Sequence, residues 1–268
     1  MHFGRWACGL PSRIASGCTV LRALIKLLRG VWHALIGFFT IYTRFPMLSL
    51  EQRNARVQVW AMQMLRICGI ELRVLGKPVV SGPALLICNH ISWLDILVIH
   101  ATRHCRFVSK SELRDWPVLG TMATGAGTLY IARSQRRDAL RMVHEMAQAL
   151  KQGEVVAVFP EGTTSDGLGL LPFHANLIQS AIAANAPVQT LALQFVDGRT
   201  GKISMAARYI DDDSLLVSVW RTLNAKGLQA VVNFGDLQTA QGRGRREWAH
   251  DLRLKVMQLK LACLLQSE

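Results

Sequence analysis

The first fifty residues of this 268-residue chain contain no aspartate or glutamate, and the first acidic side chain is Glu51. Over the whole chain, 31 Lys and Arg residues outnumber 18 Asp and Glu residues, which gives a formal net charge of +13. The basic residues of the acid-free stretch are Arg5, Arg13, Arg22, Lys26, Arg29 and Arg44. One-sided charge beside apolar sequence indicates a membrane-facing segment rather than a solvated helix. Charge alone does not choose between anionic lipid and nucleic acid.

Other absences exclude several classes of protein. The six cysteines form no Cys-x-x-Cys pair, so neither a zinc site nor a disulfide framework is expected, and reducing cytoplasmic surroundings fit best. There is no Gly-x-Ser-x-Gly elbow of a serine hydrolase. The histidines lack metal-ligand spacing, so no metal is expected. Because no nucleic-acid-binding module is recognisable, we do not expect nucleic acid as a partner.

Long apolar runs are also scarce. Half of the residues are hydrophobic and only 18% are charged, which predicts membrane contact. The longest N-terminal run without Lys, Arg, Asp or Glu, residues 30–43, would form a helix of roughly 21 Å, shorter than the roughly 30 Å hydrocarbon core. A helix from about Leu21 to Tyr42 would span only if Lys26 and Arg29 reached the interface, so an interfacial or half-inserted helix is favoured. No small-residue site follows the run, so cleavage as a signal peptide is not expected.

A second helix is predicted after Pro46. Apolar residues recur at three- and four-residue steps over residues 51–69, which indicates an amphipathic helix with Gly69 as its C-cap. The pattern does not decide whether this stripe packs in a core or continues a membrane-facing surface. We therefore assign residues 1–70 to basic, apolar, membrane-associating helices and residues 71–268 to one further domain.

From Glu71 onward, short apolar runs alternate with helical patterns. This alternation predicts an α/β fold with a single, largely parallel or mixed sheet flanked by helices. The predicted strands cover residues 71–76, 84–88, 106–109, 128–132, 155–159, 189–195, 203–209 and 229–234. The predicted helices cover residues 92–101, 136–151, 174–184, 213–224 and 245–265.

Polar residues follow the first of the buried strands in this domain. His90 and Asp95 come directly after residues 84–88, with four residues between them. Ligands bind at the carboxyl ends of strands in open α/β sheets. A carboxylate that holds an imidazole fixes its tautomer and raises its basicity, as a general base acting on an alcohol requires. Taken alone, the spacing is more typical of a capped helix with an incidental histidine, and we interpret Ser92 as the cap.

Two further strands also end in polar residues. Arg133 ends the strand predicted at 128–132, and Glu161, Gly162 and Thr163 follow a strand stopped by proline. Arginine offers a bidentate fork for phosphate, while a Gly-Thr turn offers backbone amides and a hydroxyl. Each has a structural alternative, since the arginine could begin a basic surface and the second segment could be an ordinary turn. Together they predict an anion site.

The order of these segments is specific. NHISWLD (89–95), GTLYIAR (127–133) and FPEGT (159–163) occur in this sequence, and residues 186–188, APV, resemble the start of a fourth block in which Thr190 replaces a common second proline. These blocks resemble those of the glycerolipid acyltransferase family, in particular the bacterial 1-acyl-sn-glycerol-3-phosphate acyltransferases. The resemblance covers roughly residues 50–240.

The resemblance implies an activity and roles for the residues. An acyl group would pass from acyl-ACP or acyl-CoA to the free hydroxyl of a lysolipid acceptor, giving phosphatidic acid when the acceptor is 1-acyl-sn-glycerol-3-phosphate. His90 would be the general base and Asp95 would orient it, with no covalent acyl-enzyme and no cofactor beyond the thioester substrate. The acceptor-binding positions would be Arg133, Glu161, Gly162 and Thr163. The expected location is the cytoplasmic face of a bacterial inner membrane, against anionic lipid.

One departure from the family pattern leaves the acceptor open. Thr164 stands where an arginine is common after FPEGT, which removes one positive charge from the expected phosphate site. A lyso-ornithine lipid or another lysolipid is therefore an alternative acceptor.

His174 is interpreted as a structural or surface residue, with substrate contact the less favoured alternative. A non-catalytic binder of anionic lipid would explain the charge, but not the polar residues at three successive strand ends.

Overall fold

The computed structural model describes residues 12–131, 136–210 and 213–265. Within these ranges the α-helices are α1 (Ser12–Thr43), α2 (Leu50–Cys68), α3 (Leu94–Thr102), α4 (Pro117–Gly125), α5 (Arg136–Lys151), α6 (Ala175–Ala184), α7 (Leu215–Asn224) and α8 (Arg245–Leu265). The strands are β1 (Glu71–Leu75), β2 (Ala84–Cys88), β3 (Arg106–Lys110), β4 (Leu129–Ile131), β5 (Val155–Val158), β6 (Val188–Asp197) and β7 (Leu228–Gln238).

The seven strands of the described ranges form one sheet in the order β1-β7-β6-β2-β5-β3-β4. The β6–β7 pair is antiparallel, and the other neighbouring strands pair in parallel. This mixed sheet confirms the predicted α/β fold. Strand β2 lies between β5 and β6, so the segments that follow β2 and β5 emerge side by side at one sheet edge.

Both faces of the central strands are covered, which explains their continuous apolar sequences. All five residues of β2 and all four of β5 are buried. On one face the core includes Leu65 of α2, Leu94 of α3 and Leu223 of α7. On the other it includes Leu150 of α5 and Trp248 of α8. Full burial of a large apolar side chain contributes about 1.5–3 kcal/mol, so these two layers stabilise the sheet from both sides.

Helix α2 matches the predicted amphipathic helix. It begins with a capping box in which Ser49 and Gln52 bond each other's backbone N–H groups. It ends at Gly69, whose φ of 74° is the left-handed conformation of a glycine C-cap. The pattern left open whether the apolar stripe of this helix packs in a core or faces a membrane. Ala61 and Leu65 of the stripe are buried in the core, so this part of it packs against the rest of the domain.

Helix α1 contains the helix predicted from Leu21 to Tyr42 and packs closely on α2. The imidazole of His33 stacks on the indole of Trp60, with ring centroids 5.1 Å apart, and the indole Nε1 donates to the His33 carbonyl at 3.1 Å. A Cβ at Gly37 would lie 2.7 Å from the same Nε1, so only glycine permits this approach.

The opposite face of α1 is open and apolar. The segment Thr19–Thr43 is long and apolar enough to cross a membrane by length and composition, and its apolar window is not buried against the domain. Large apolar side chains recur along this face at three- and four-residue steps: Leu21, Leu24, Ile25, Leu28, Trp32, Ile36, Phe39 and Tyr42 are all exposed. We call these eight residues the α1 stripe.

The prediction of a strand at residues 203–209 is wrong. Ile203 forms only an isolated antiparallel bridge with Val196, and Met205–Ala207 is a 3-10 helix. The Ser204 hydroxyl accepts the Ala206 N–H at 3.3 Å, and this local bond competes with extended pairing. The segment instead crosses the sheet edge beside the residues that follow β2, because the Tyr209 N–H donates to the Ile91 carbonyl.

Helix α4 was not predicted. Its nine residues, PVLGTMATG, are rich in glycine and threonine, which have weak helix propensity. Tertiary contact explains why they are helical: α4 packs against α1, and a Cβ at Gly125 would lie 2.7 Å from Ile41 Cδ1.

Candidate active site

The polar sequence after β2 begins with a side chain that extends the strand. Asn89 is fully buried, its Nδ2 donates to the Leu193 carbonyl at 2.9 Å, and its Oδ1 accepts the Leu193 N–H at 2.8 Å. The side-chain amide therefore pairs with β6 as a further backbone residue would. His90 follows immediately and is placed just beyond the sheet edge.

Asp95 lies in the first turn of α3 and collects three hydrogen bonds on one oxygen. Its Oδ2 is 2.8 Å from His90 Nδ1 and also accepts the N–H groups of Ile91 at 2.6 Å and Ser92 at 2.9 Å. The carboxylate therefore caps the start of the helix while holding the imidazole. Because a carboxylate can only accept, the proton of a neutral His90 lies on Nδ1.

Ser92 supports the same helix start. Its hydroxyl accepts the Leu94 N–H at 3.3 Å, although the N-cap position itself is Trp93. Asp95 is completely buried, and its second oxygen, Oδ1, has no hydrogen-bond partner in the described part of the chain. A buried carboxylate held this way favours a positive charge nearby, and His90 is the group placed to carry it.

The imidazole of His90 is held in a fixed plane. It stacks on Phe159, with ring centroids 3.9 Å apart and planes 8° apart. The side chain is 19% exposed. Across the described ranges no hydrogen bond reaches Nε2. The ring therefore has one nitrogen engaged by a carboxylate and the other available at the surface, which is the arrangement that a general base requires.

Glu161 is joined to the His90 backbone. It is only 4% exposed, and its Oε1 accepts the His90 N–H while its Oε2 accepts the Leu171 N–H, both at 2.8 Å. Burial raises the pKa of this carboxyl, and the two backbone hydrogen bonds oppose that rise. The hydrogen bonds that the structure shows for Glu161 are thus with the backbone N–H groups of His90 and Leu171. Its predicted contact with the acceptor stays a prediction.

Gly162 and Thr163 lie directly beyond Glu161. Gly162 has a φ of 75°, and a Cβ there would lie 2.9 Å from the His174 ring, so glycine is required on both counts. Thr163 is exposed, whereas Thr164 is half-buried. The structure thus brings Glu161, Gly162 and Thr163 to the same edge as His90, with His174 packed over the glycine.

Arg133 lies outside the described residues. The strand that leads to it, β4, ends at Ile131 and is the outermost strand, with β3 and β5 between it and β2. Three strand spacings separate β4 from β2, or about 14 Å. The proposed phosphate contact of Arg133 stays a prediction.

Two contacts of the site were not found from the sequence. Phe159 stands within the FPEGT segment, but its sequence position does not reveal a ring stack on His90. Ser165 donates its backbone N–H to the His90 carbonyl at 2.8 Å, across 75 residues of chain. No local pattern signals such a contact, because the fold alone brings the two segments together.

The nearby thiol is not a competing nucleophile. Cys88, the last residue of β2, is 1% exposed. Burial, followed by the charges of Asp95 and Glu161, raises the pKa of this thiol well above its usual value. It therefore stays protonated at neutral pH and has no access to substrate.

Comparison with known proteins agrees with this site. Residues 69–194 match the Acyltransferase family model. The 1-acyl-sn-glycerol-3-phosphate acyltransferase of Neisseria meningitidis serogroup B is 41% identical over 186 residues, which cover 69% of this chain and 72% of that protein. The lyso-ornithine lipid O-acyltransferase of Pseudomonas aeruginosa is 32% identical over 244 residues, which cover 88% of this chain and 92% of that protein.

A solved structure shares the fold. The 1-acyl-sn-glycerophosphate (LPA) acyltransferase PlsC from Thermotoga maritima superposes with a TM-score of 0.69 over 92% of this chain and 96% of that one, at 18% sequence identity. At this identity the structural match shows the fold alone, and the family assignment rests on the sequence relatives. The chain therefore belongs to the glycerolipid acyltransferase family and is an acyltransferase.

Proposed function

We propose that this enzyme transfers an acyl group from acyl-ACP or acyl-CoA to 1-acyl-sn-glycerol-3-phosphate and so produces phosphatidic acid. The observation that carries the proposal is the hydrogen-bonded pair of His90 and Asp95, with Nε2 of the imidazole open at the sheet edge. The relative from Neisseria meningitidis, which carries that name at 41% identity, supports the choice of acceptor.

The chemistry follows from the ring's orientation. His90 Nε2 takes the proton of the acceptor hydroxyl as its oxygen attacks the thioester carbonyl. The new C–O bond forms, the C–S bond breaks, and the imidazolium returns the proton to the departing thiolate. Asp95 stabilises the imidazolium between these steps. General-base assistance of this kind contributes about 10²- to 10⁴-fold in rate.

The acceptor's phosphate needs positive or hydrogen-bond-donating partners near the base. The exposed Thr163 and the backbone of Gly162 lie at the same edge as His90, and Arg133 comes two residues after the end of β4 in the sequence. We propose that these groups bind the acceptor headgroup. Backbone amides and a guanidinium are the groups that bind phosphate in proteins.

A lyso-ornithine lipid is the second candidate acceptor. The Pseudomonas aeruginosa enzyme of that name matches a larger share of this chain than the Neisseria enzyme does, 88% against 69%. Thr164 also removes a cation from the segment that would face a phosphate. A zwitterionic headgroup needs fewer cations than a phosphate monoester does, so this departure favours the alternative acceptor.

We further propose that the enzyme works on the cytoplasmic face of a bacterial inner membrane. The α1 stripe supports this because it leaves an apolar surface uncovered by the rest of the described chain. The exposed Arg22 and Arg29 lie on the same helix and suit anionic headgroups. Both candidate acyl donors are soluble carriers of the cytoplasm, so the site should open on that side.

A substrate panel tests the proposal. Purified enzyme in detergent is incubated with labelled acyl-ACP or acyl-CoA against lysophosphatidic acid, lyso-ornithine lipid and lysophosphatidylcholine. We expect labelled phosphatidic acid to be the main product, and none from His90→Ala. Preferential labelling of lyso-ornithine lipid would replace the first candidate by the second, and no labelling of any lysolipid would overturn both.

A further inference from the structure

Two cationic side chains of α8 bind the backbone of the segment that follows the FPEGT residues and hydrogen-bonds the His90 carbonyl. We call residues 165–171 the covering loop. Lys260 Nζ donates to the Gly169 carbonyl at 3.1 Å. Arg253 donates to the Leu170 carbonyl at 2.6 Å and to the Leu171 carbonyl at 3.0 Å. Three successive carbonyls of the loop are thus held by charged donors, which make stronger hydrogen bonds than neutral donors do.

The covering loop contacts the catalytic segment at both of its ends. At its start, Ser165 donates its backbone N–H to the His90 carbonyl. At its end, Leu171 donates its N–H to Glu161, whose other oxygen accepts the His90 N–H. These hydrogen bonds join the His90 backbone to the covering loop in two places: directly at Ser165, and through the Glu161 carboxylate at Leu171. The two cations of α8 bind the carbonyls of residues 169–171, at the end of the loop that bonds Glu161.

The burial of Lys260 suggests that its charge has a purpose beyond packing. Lys260 is only 4% exposed, and taking an ammonium out of water is unfavourable before its partners are counted. An apolar side chain of similar length would fill the same space without that cost. Burial lowers the pKa of this amine, and the charges of Glu161 and Asp166 oppose that change. The ammonium of Lys260 therefore interacts electrostatically with Glu161, the carboxylate that accepts the His90 N–H.

We propose that Lys260 and Arg253 are positioning residues for acyl transfer: they fix the covering loop, and through Glu161 they fix the backbone of His90. Neither side chain contacts the imidazole. Their effect is on the placement of Nε2 relative to the acceptor hydroxyl, to which rate is sensitive, since a misplacement of about 1 Å costs about 10²-fold. The inference rests on the proposed function, because the quantity that it predicts to change is the rate of acyl transfer.

The test compares Lys260→Met with Lys260→Arg. Methionine keeps the length and removes the charge, while arginine keeps the charge and a donor for Gly169. We expect kcat for acyl transfer in Lys260→Met to fall about 10- to 100-fold with KM for the acceptor unchanged. Lys260→Arg should recover most of kcat. The matched control is Lys255→Met, because Lys255 is exposed on the same helix and should give wild-type kinetics.

Three outcomes would overturn the inference. Wild-type kcat in Lys260→Met would show that the ammonium does not position the site, and an equal loss in Lys260→Arg would show that side-chain shape matters rather than charge. If Lys260→Met fails to fold, Arg253→Gln carries the test, since Arg253 is only partly buried, and wild-type kcat there would again overturn it. An inactive wild type, by contrast, would refute the proposed function instead.

Discussion

The imidazole of His90 lies flat on the ring of Phe159, 3.9 Å away, while its Nδ1 is held 2.8 Å from Asp95. The stack fixes the plane of the imidazole, and the hydrogen bond fixes its rotation within that plane. Only one placement of Nε2 satisfies both contacts. The base is therefore oriented before any substrate arrives, which lowers the entropic cost of the reaction.

Removal of the imidazole should abolish activity. In His90→Ala we expect acyl transfer to lysophosphatidic acid to fall at least about 10²-fold, because no other described side chain is placed to accept the hydroxyl proton. The measurement is product formation by membranes containing equal amounts of each protein. His144→Ala, an exposed histidine on α5, is the control and should retain full activity. Full activity in His90→Ala would refute the assigned mechanism.

Asp95→Asn should separate charge from shape. Asparagine can keep an acceptor oxygen where Oδ2 bonds the Ile91 and Ser92 N–H groups, so the start of α3 should survive. It removes the negative charge that stabilises imidazolium. We expect kcat to fall about 10²-fold or more, with the midpoint of thermal unfolding close to that of the wild type. A folded variant with undiminished kcat would mean that Asp95 serves only as a helix cap.

A charge on the α1 stripe should weaken membrane binding. Leu28 on this stripe is 70% exposed, and Leu140 on α5 is 72% exposed on the other side of the sheet. We expect Leu28→Glu to reduce co-sedimentation with vesicles that contain anionic lipid, because a carboxylate must then be kept out of the apolar phase. Leu140→Glu is the matched control and should bind as the wild type does. Equal binding by both variants would assign the membrane contact to another surface.

Thr164→Arg should change the choice of acceptor. It restores a cation beside the FPEGT segment, where a phosphate monoester gains more from it than a zwitterionic headgroup does. We expect the ratio of kcat/KM for lysophosphatidic acid to that for lyso-ornithine lipid to rise. The two substrates are measured in the same detergent with one acyl donor. An unchanged ratio would show that position 164 does not contact the headgroup.

His100 should make the protein sensitive to acid. It is 5% exposed, its Nδ1 has no hydrogen-bond partner within the described residues, and burial lowers its pKa to about 3. An unfolded histidine titrates near 6.5, so between about pH 6.5 and pH 3 the unfolded chain binds the extra proton. Stability contributed by neutral His100 is therefore complete above pH 6.5 and is lost as the pH falls, by up to about 1.4 kcal/mol per pH unit.

Urea unfolding at pH 7 and pH 5 checks this prediction. The wild type should lose more free energy of unfolding between the two values than His100→Leu does. His144→Leu, the same change at an exposed histidine, should follow the wild type. An equal pH dependence in all three proteins would show that His100 does not carry the effect.

The fold could be predicted largely because its strands are continuous apolar runs with polar ends. Residues 84–88 are fully apolar and fully buried, and the polar residues after them do lie at the sheet edge. The prediction failed at 203–209, where the Ser204 hydroxyl starts a 3-10 turn. It also missed α4, whose helix depends on contact with α1. In both places a local or tertiary contact overrides the apolar pattern.

The candidate site was predictable where the chemistry lies within one segment. His90 and Asp95 are five positions apart, so their contact requires only the turn between β2 and α3. The contacts of Ser165, Lys260 and Arg253 join segments far apart in the chain, and no spacing in the sequence signals them. A single sequence therefore identifies the reacting groups better than it identifies what holds them.

The side chain of Asn89 has a consequence for sequence variation at the start of the NHISWLD segment. It must donate to a carbonyl and accept an N–H of Leu193 at the same time. Aspartate lacks the donor, leucine lacks both groups, and glutamine offers both but is one methylene longer, which would displace the chain that leads to His90. Position 89 is thus a point of low mutational tolerance at which no chemistry takes place, and natural variants of this enzyme should change almost any neighbouring surface residue before they change this one.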